Sequence, residues 1–112
     1  MKIFNRIKKS DDFLLTIKKG KAYRCEQFTV HKRSTNNGYT RIGLSVSSKL
    51  GNAVVRNKIK RQVRAMCDSL LDYTKQSLDI VIVVRNEYLN VSFNNNKITL
   101  NKLLNTQVGN KQ

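Results

Sequence analysis

Apolar and polar residues alternate most regularly along residues 39–47, which read YTRIGLSVS. A period of two predicts a strand with one face in the core and the other open to solvent or to a ligand. The core-facing side is formed by Thr40, Ile42, Leu44 and Val46. The opposite face is small and polar, and Tyr39 and Arg41 are its two large side chains.

Two more segments have the composition of strands. Over residues 22–31, Phe28 and Val30 point to one side and His31 to the other. The turn-forming run STNNG at 34–38 follows, so we expect a hairpin that places this strand beside residues 39–47 in antiparallel order. Residues 79–85, DIVIVVR, contain an uninterrupted apolar run, which is typical of a strand buried on both faces.

Two segments near the ends of the chain have the spacing of amphipathic helices. Ser10, followed by two aspartates, predicts the start of the first helix, and Gly20 can end it. Its apolar stripe consists of Phe13, Leu14 and Ile17. The last helix is predicted over about residues 92–107, ahead of a frayed end at 109–112, and its apolar side consists of Phe93, Leu100, Leu103 and Leu104.

A central helix, predicted over about residues 53–71 with Asn52 as its cap, is apolar along one line only. At about 100° per residue, that line is formed by Val55, Ile59, Val63, Met66 and Leu70. Cations cover most of the remaining surface, and the helix contains no acid before Asp68. Because like charges four residues apart repel by about 0.2–0.5 kcal/mol per pair, we expect a polyanion to neutralise them. The predicted contacts are Arg56, Asn57, Lys58, Lys60, Arg61 and Arg64.

The overall charge supports this interpretation. The 112 residues include 22 Lys and Arg against 7 Asp and Glu, a net charge of +15. Such an excess is typical of a protein that binds nucleic acid, and an acidic membrane surface is the second option. No apolar run approaches the roughly 18 residues of a membrane span, so we expect no membrane segment. The two cysteines lack metal-site spacing and are expected to be reduced.

The order of elements and the length predict one domain over residues 1–112, of the α+β class, built as an α/β two-layer sandwich with helices against a small sheet. Within it, the run RIGLSVSSKLGNAVVRNKIKRQVR, residues 41–64, resembles the signature of the bacterial ribonuclease P protein component. That family carries a Gly-Leu-Ser-Val-Ser strand, then Gly-Asn-Ala-Val, then an Arg-Asn-Arg motif in which this chain has Lys58 at the third position. The resemblance covers about residues 5–85.

The resemblance implies the element order α-β-β-β-α-β-α and a small mixed sheet. It also implies a left-handed βαβ crossover through the basic helix, although the general chirality rule alone favours a right-handed one.

The resemblance further implies a function without protein catalysis. In this family an RNA hydrolyses precursor tRNA at the 5′ end of the mature sequence, with Mg²⁺ bound mainly through the RNA and no organic cofactor. The protein binds the catalytic RNA and the 5′ leader, and it is expected to be cytoplasmic and monomeric without RNA. The implied leader cleft consists of Phe13, Ile17, His31, Tyr39, Arg41, Lys60 and Arg64, where Ile17 and His31 stand at positions that are often aromatic in the family.

The residues agree with a non-catalytic role, because the one histidine and seven scattered acids form no cluster of the kind that metal-dependent nucleases need. Three alternatives stay open at this point. A ribosomal-type protein or RNA chaperone has the same charge, a DNA-binding module prefers duplex, and a protein nuclease cuts without RNA.

Overall fold

The computed structural model describes residues 1–106 and contains, within them, three α-helices and one four-stranded sheet. The helices are α1 (Ser10–Lys19), α2 (Ala53–Leu70) and α3 (Phe93–Asn105), and the strands are β1 (Lys21–Arg24), β2 (Phe28–Ser34), β3 (Arg41–Val46) and β4 (Leu78–Val84). The order α-β-β-β-α-β-α is confirmed. The predicted frayed end at 109–112 and the last position of the predicted final helix lie outside the described residues.

The sheet is mixed, with the strand order β1-β2-β4-β3. β1 and β2 are antiparallel, β2 and β4 are antiparallel, and β3 runs parallel to β4. The connection between the parallel neighbours β3 and β4 contains α2. The hand of this crossover stays the expectation drawn from the resemblance.

Two predictions about the strands are wrong. The predicted hairpin through residues 34–38 does not pair β2 with β3, because β4 lies between them and bonds to both. β4 is the most apolar strand, and the central position buries it on both faces. The single strand predicted over residues 22–31 is two strands, since the chain reverses at Cys25 and the Cys25 N–H donates to the Phe28 carbonyl (2.9 Å).

The main core lies between one face of the sheet and the helices α2 and α3. Strand residues alternate into it, and Val30, Ile82 and Leu44 lie side by side across β2, β4 and β3. From α2 the fully buried residues are Ile59, Val63, Met66 and Cys67, as the helical period predicted for all but the last. Cys67 and Cys25 are unbonded, and burial raises the pKa of the Cys67 thiol to about 12. No helix within residues 1–106 is long and apolar enough to span a bilayer.

The helix ends follow capping chemistry in two of three cases. Asn52 caps α2, because its side chain accepts the Val55 N–H at 3.1 Å, as predicted. Ser92 caps α3 in the same way. The predicted cap at Ser10 is wrong: it is the first helical residue, and the capping position is Lys9, whose side chain makes no capping bond.

The apolar side predicted for α3 is only partly right. Leu100 and Leu104 are buried, but Phe93 is 41% exposed. The packed face of this helix begins at Asn96, the first buried residue of α3, so the first turn remains at the surface.

The second face of the sheet carries α1, which packs against β2 and β4. Gly20 ends α1 as predicted, in an extended conformation rather than the left-handed one. Its role is close approach: a Cβ at this position would lie 2.4 Å from the Thr16 carbonyl oxygen and 2.8 Å from the Lys32 carbonyl oxygen. The backbone of β2 therefore fixes the end of α1 above the sheet.

Replacing Gly20 with Ala should destabilise the fold by about 2 kcal/mol or more, because backbone atoms rather than a flexible side chain must move. Urea unfolding measures this. Gly38→Ala is the control, since nothing lies within 4 Å of that Cβ and only its positive φ of 87° costs about 1 kcal/mol. Equal losses for the two variants would contradict the close approach.

Candidate RNA interface

The outer surface of α2 carries five cations and one amide, defined here as the α2 cation face: Arg56, Asn57, Lys58, Lys60, Arg61 and Arg64. Asn57, Lys58 and Arg61 are exposed, and the other three are half-buried. Within residues 1–106 no carboxylate lies within 4 Å of any of these cations. Their charges are therefore balanced only by solvent in the free protein.

One end of this surface is crowded with like charge. Residues 6–7 lie along the edge of β3, where Arg6 forms a bridge with Ile42 and the Ile7 N–H donates to the Ile42 carbonyl at 2.9 Å. Burial, and next the nearby charge of Arg6, lower the pKa of Arg64. The charge of Arg6 thus acts on Arg64 and also on Asp68, whose pKa, against the opposing effect of burial, is lowered by the hydrogen bonds from the Met1 amino group and Tyr73 and further by Arg6.

Arg56 also has a structural contact, since its Nε–H donates to the Gly51 carbonyl at 3.2 Å. Lys58 lies on the other flank of α2, beside a groove that also contains Tyr88 and Phe93. The position where the family's motif has arginine therefore faces away from Arg64 and the β3 edge.

The sheet face beside α1 is ordered in rows across the strands. His31, Val81 and Gly43 form one row. A Cβ on Gly43 would lie 2.8 Å from the ring of Phe13, so the aromatic ring rests directly on the glycine backbone. Ile17 follows Phe13 one helical turn later and is half-buried. Three of the predicted cleft residues, Phe13, Ile17 and His31, thus belong to one surface, the α1–sheet cleft.

His31 is held neutral in this cleft. Its Nδ1 is buried and has no hydrogen-bond partner. Burial, and next the charge of Arg24, lower the pKa of its imidazole below the usual 6.5. A neutral ring adds no charge to the cleft, and its buried Nδ1 is not accessible to a ligand in this conformation.

Of the other predicted cleft residues, Arg41 lies on the same face of the sheet, in the next row, which it forms with Asp79 and Arg33. Arg41 donates from Nε to Asp79 Oδ1 (2.8 Å) and from Nη2 to Asp79 Oδ2 (2.6 Å), and this bonding raises the pKa of the guanidinium. Tyr39 packs edge to face against Phe4, with ring centroids 5.3 Å apart. Both lie on the far side of α1 from His31, whereas Lys60 and Arg64 belong to α2.

The sequence analysis did not identify Arg33 and Asp79, the two residues that lie beside Arg41 in its row across the sheet. Asp79 is fully buried and bridges Arg41 and Arg33, whose Nη2 lies 3.0 Å from Asp79 Oδ2. A single acid at the start of the apolar run 79–85 was the available signal, because a buried carboxylate needs a cation beside it.

Within the described residues no three His, Cys, Asp or Glu side chains converge on one point. The acids Asp12 and Asp79 are instead bonded to Arg41.

An unpaired cationic helix beside an α1–sheet cleft defines an RNA-binding protein of the two-layer α+β class. The chain matches the ribonuclease P family over residues 1–107. It therefore belongs to the ribonuclease P protein family, as residues 41–64 predicted.

Individual relatives agree with this assignment. The chain is 44% identical over 99 residues to the ribonuclease P protein component of Mesoplasma florum, covering 88% of this chain and 90% of that protein. The Staphylococcus aureus RNase P protein has a similar structure, with a TM-score of 0.81 at 34% identity over 95% of this chain and 98% of that one. The RNase P protein from Thermotoga maritima gives 0.79 at 33% identity, with 93% and 98% covered.

Because His31 is the one histidine of the chain, its imidazole signal is unique in a proton NMR titration. We expect a midpoint below 6.5, since burial and Arg24 both disfavour the charged form. By linkage, the folded state loses stability as pH falls below about 6.5, where the unfolded chain binds the proton more readily. Arg24→Gln should move the midpoint upward. A midpoint at or above 6.5 in the wild type would contradict the description of this site.

Proposed function

We propose that this chain is the protein subunit of ribonuclease P and that it promotes removal of the 5′ leader from precursor tRNA. The family assignment supports this function, and it does not favour a ribosomal-type or chaperone role. The observation that carries the molecular part of the proposal is the α2 cation face. Its side chains reach solvent with no acid nearby, as a surface that meets phosphates requires.

The α2 cation face binds the catalytic RNA. Arg61 and Arg64 offer planar forks that can bind a phosphate through two parallel hydrogen bonds. Lys58 and Lys60 contribute point charges, so Lys58 retains the charge of the family motif but not its bidentate geometry. Asn57, exposed between them, can donate to a phosphate or a sugar hydroxyl.

The α1–sheet cleft binds the single-stranded leader. Phe13 offers the aromatic surface and His31 offers a polar ring, while Ile17 supplies apolar contact only. Because stacking on an aromatic ring contributes about 1–3 kcal/mol per base, the replacement of an aromatic by Ile17 weakens the binding of one leader base. Tyr39 and Arg41 contact the same leader RNA from beyond α1. Lys60 and Arg64 contact it from α2.

The active site belongs to the RNA, and Mg²⁺ is bound mainly through that RNA. The protein lowers the repulsion between two polyanions and positions the leader, so that the metal-bound geometry forms at lower Mg²⁺. The free subunit is a monomer, and the enzyme works in the cytoplasm.

The double variant Lys60→Ala/Arg61→Ala should flatten the salt dependence of binding to the catalytic RNA. Each phosphate contact contributes about 0.7–0.9 to the slope of log affinity against log salt, so the slope should fall by about 1.4–1.8. The measurement is a binding titration at several salt concentrations. The control, Lys97→Ala/Lys102→Ala on α3, removes the same charge and should leave the slope almost unchanged. Equal slopes for the two double variants would remove α2 from the interface.

A further inference from the structure

A second cationic site lies on the far side of α1 from His31. It is an open pocket of about 720 Å³ between the N-terminal segment, the start of α1 and the loop that joins β2 to β3. Five cations line it, with Asp12 as the one acid among the lining residues: Arg6, Lys8, Lys9, Arg33 and Arg41. We refer to it as the Arg33–Arg41 pocket. Its size suits one nucleotide, since small-ligand sites usually measure about 300–1,000 Å³.

The two arginines at its base are fixed in place by a buried acid. Asp79, 0% exposed, accepts hydrogen bonds from both guanidinium groups. Arg33 Nε also donates to Thr16 Oγ1 at 3.3 Å, and Arg41 Nη2 donates to Asp12 Oδ2 at 3.3 Å. The side-chain entropy that a flexible arginine loses on binding an anion has therefore already been lost on folding.

The bonding leaves one end of each fork unused. Neither Arg33 Nη1 nor Arg41 Nη1 has an acceptor within residues 1–106, and neither atom is buried. Each Nη1 carries two N–H donors. The two guanidinium groups thus balance Asp79 and Asp12, and the net positive charge of the pocket comes from Arg6, Lys8 and Lys9.

The wall opposite α1 is also fastened. The loop after β2 is tied to Ser77, because Ser77 Oγ lies 3.0 Å from Thr35 Oγ1 and accepts the Gly38 N–H at 2.9 Å. At the rim, the edge-to-face pair of Phe4 and Tyr39 offers aromatic surface. Cations at the base and aromatic rings at the rim are the combination that binds a phosphate together with its base.

We propose that the Arg33–Arg41 pocket binds a phosphate of single-stranded RNA, as a site separate from the α2 cation face and from the α1–sheet cleft. This inference rests on the proposed function, because it assigns further RNA contacts to the same subunit. The RNA comes from one of two sources, the leader of the precursor or an unpaired segment of the catalytic RNA. The phosphate lies between the Nη1 atoms of Arg33 and Arg41, with Lys8 and Lys9 beside it.

The test uses the reconstituted holoenzyme with Lys8→Ala/Lys9→Ala, which changes two exposed side chains and leaves the buried Asp79 bonding intact. Three affinities are measured: for precursor tRNA with a long leader, for mature tRNA without a leader, and for the catalytic RNA. We expect about tenfold weaker binding of one RNA source at low salt. Lys97→Ala/Lys102→Ala is the charge-matched control.

A second variant, Arg33→Lys, keeps the charge but loses the fork that Asp79 orients. It should weaken the same RNA source, which a pocket of unspecific charge would not do. Loss confined to leader-bearing precursor identifies the leader, and loss confined to assembly identifies the catalytic RNA. If both variants bind all three RNAs as tightly as the control does, the proposal that the Arg33–Arg41 pocket binds RNA is wrong. If Lys60→Ala/Arg61→Ala still weakens assembly in that case, the proposed function stands without it.

Discussion

Repulsion among like charges is the constraint on which this structure depends. The chain carries a net charge of +15 and has seven acids. Three of those acids are bonded inside the fold, where Asp79 and Asp12 hold arginines and Asp68 holds the amino group of Met1. These three acids orient or anchor cations, and within residues 1–106 no carboxylate lies within 4 Å of a cation of the α2 cation face. A folded chain of this kind is more stable with a polyanion bound, because binding removes repulsion that folding alone cannot remove.

The packing of the helices on the sheet determines where the cations lie on the surface. Its core face is covered by α2 and α3, so the line from Ile59 to Val63 fixes the cations of α2 outward. Its other face carries α1, and the row formed by His31, Val81 and Gly43 is buried on that face, with the Phe13 ring lying directly on Gly43. Arg6 connects the two cationic regions, because its charge acts on Arg64 and its side chain lines the Arg33–Arg41 pocket.

Local periodicity determined what the sequence could predict. The buried line of α2 and its cap at Asn52 depend on spacing within a few residues, and the structure has them as predicted. Within residues 39–47, Thr40 and Ile42 are buried as predicted, but Gly43 on the predicted open face is buried under Phe13. Strand neighbours depend on contacts between distant residues, so the position of β4 between β2 and β3 could not be derived from a turn signal at 34–38. Alternation alone also could not show that the chain reverses at Cys25.

The contacts of buried polar residues were the second feature that the sequence could not predict. Lys32, which directly follows the strand predicted over residues 22–31, is buried, and its Nζ donates to the carbonyls of Leu104 and Thr106 at the end of α3. The Arg33–Asp79–Arg41 arrangement joins two strands through the centre of the sheet, with β4 as the link. The resemblance of residues 41–64 implies that Arg41 contacts the leader, and the structure adds that its guanidinium is bonded to Asp79.

The central claim is that the chain supplies charge and position while RNA carries out hydrolysis. The most direct measurement is the rate of precursor-tRNA cleavage by the catalytic RNA across a range of Mg²⁺ concentrations, with the protein, without it, and with the protein alone. We expect the protein to shift the curve to lower Mg²⁺ for leader-bearing substrate and to cut nothing by itself. Cleavage by the protein alone, or an unchanged Mg²⁺ curve, would contradict the account.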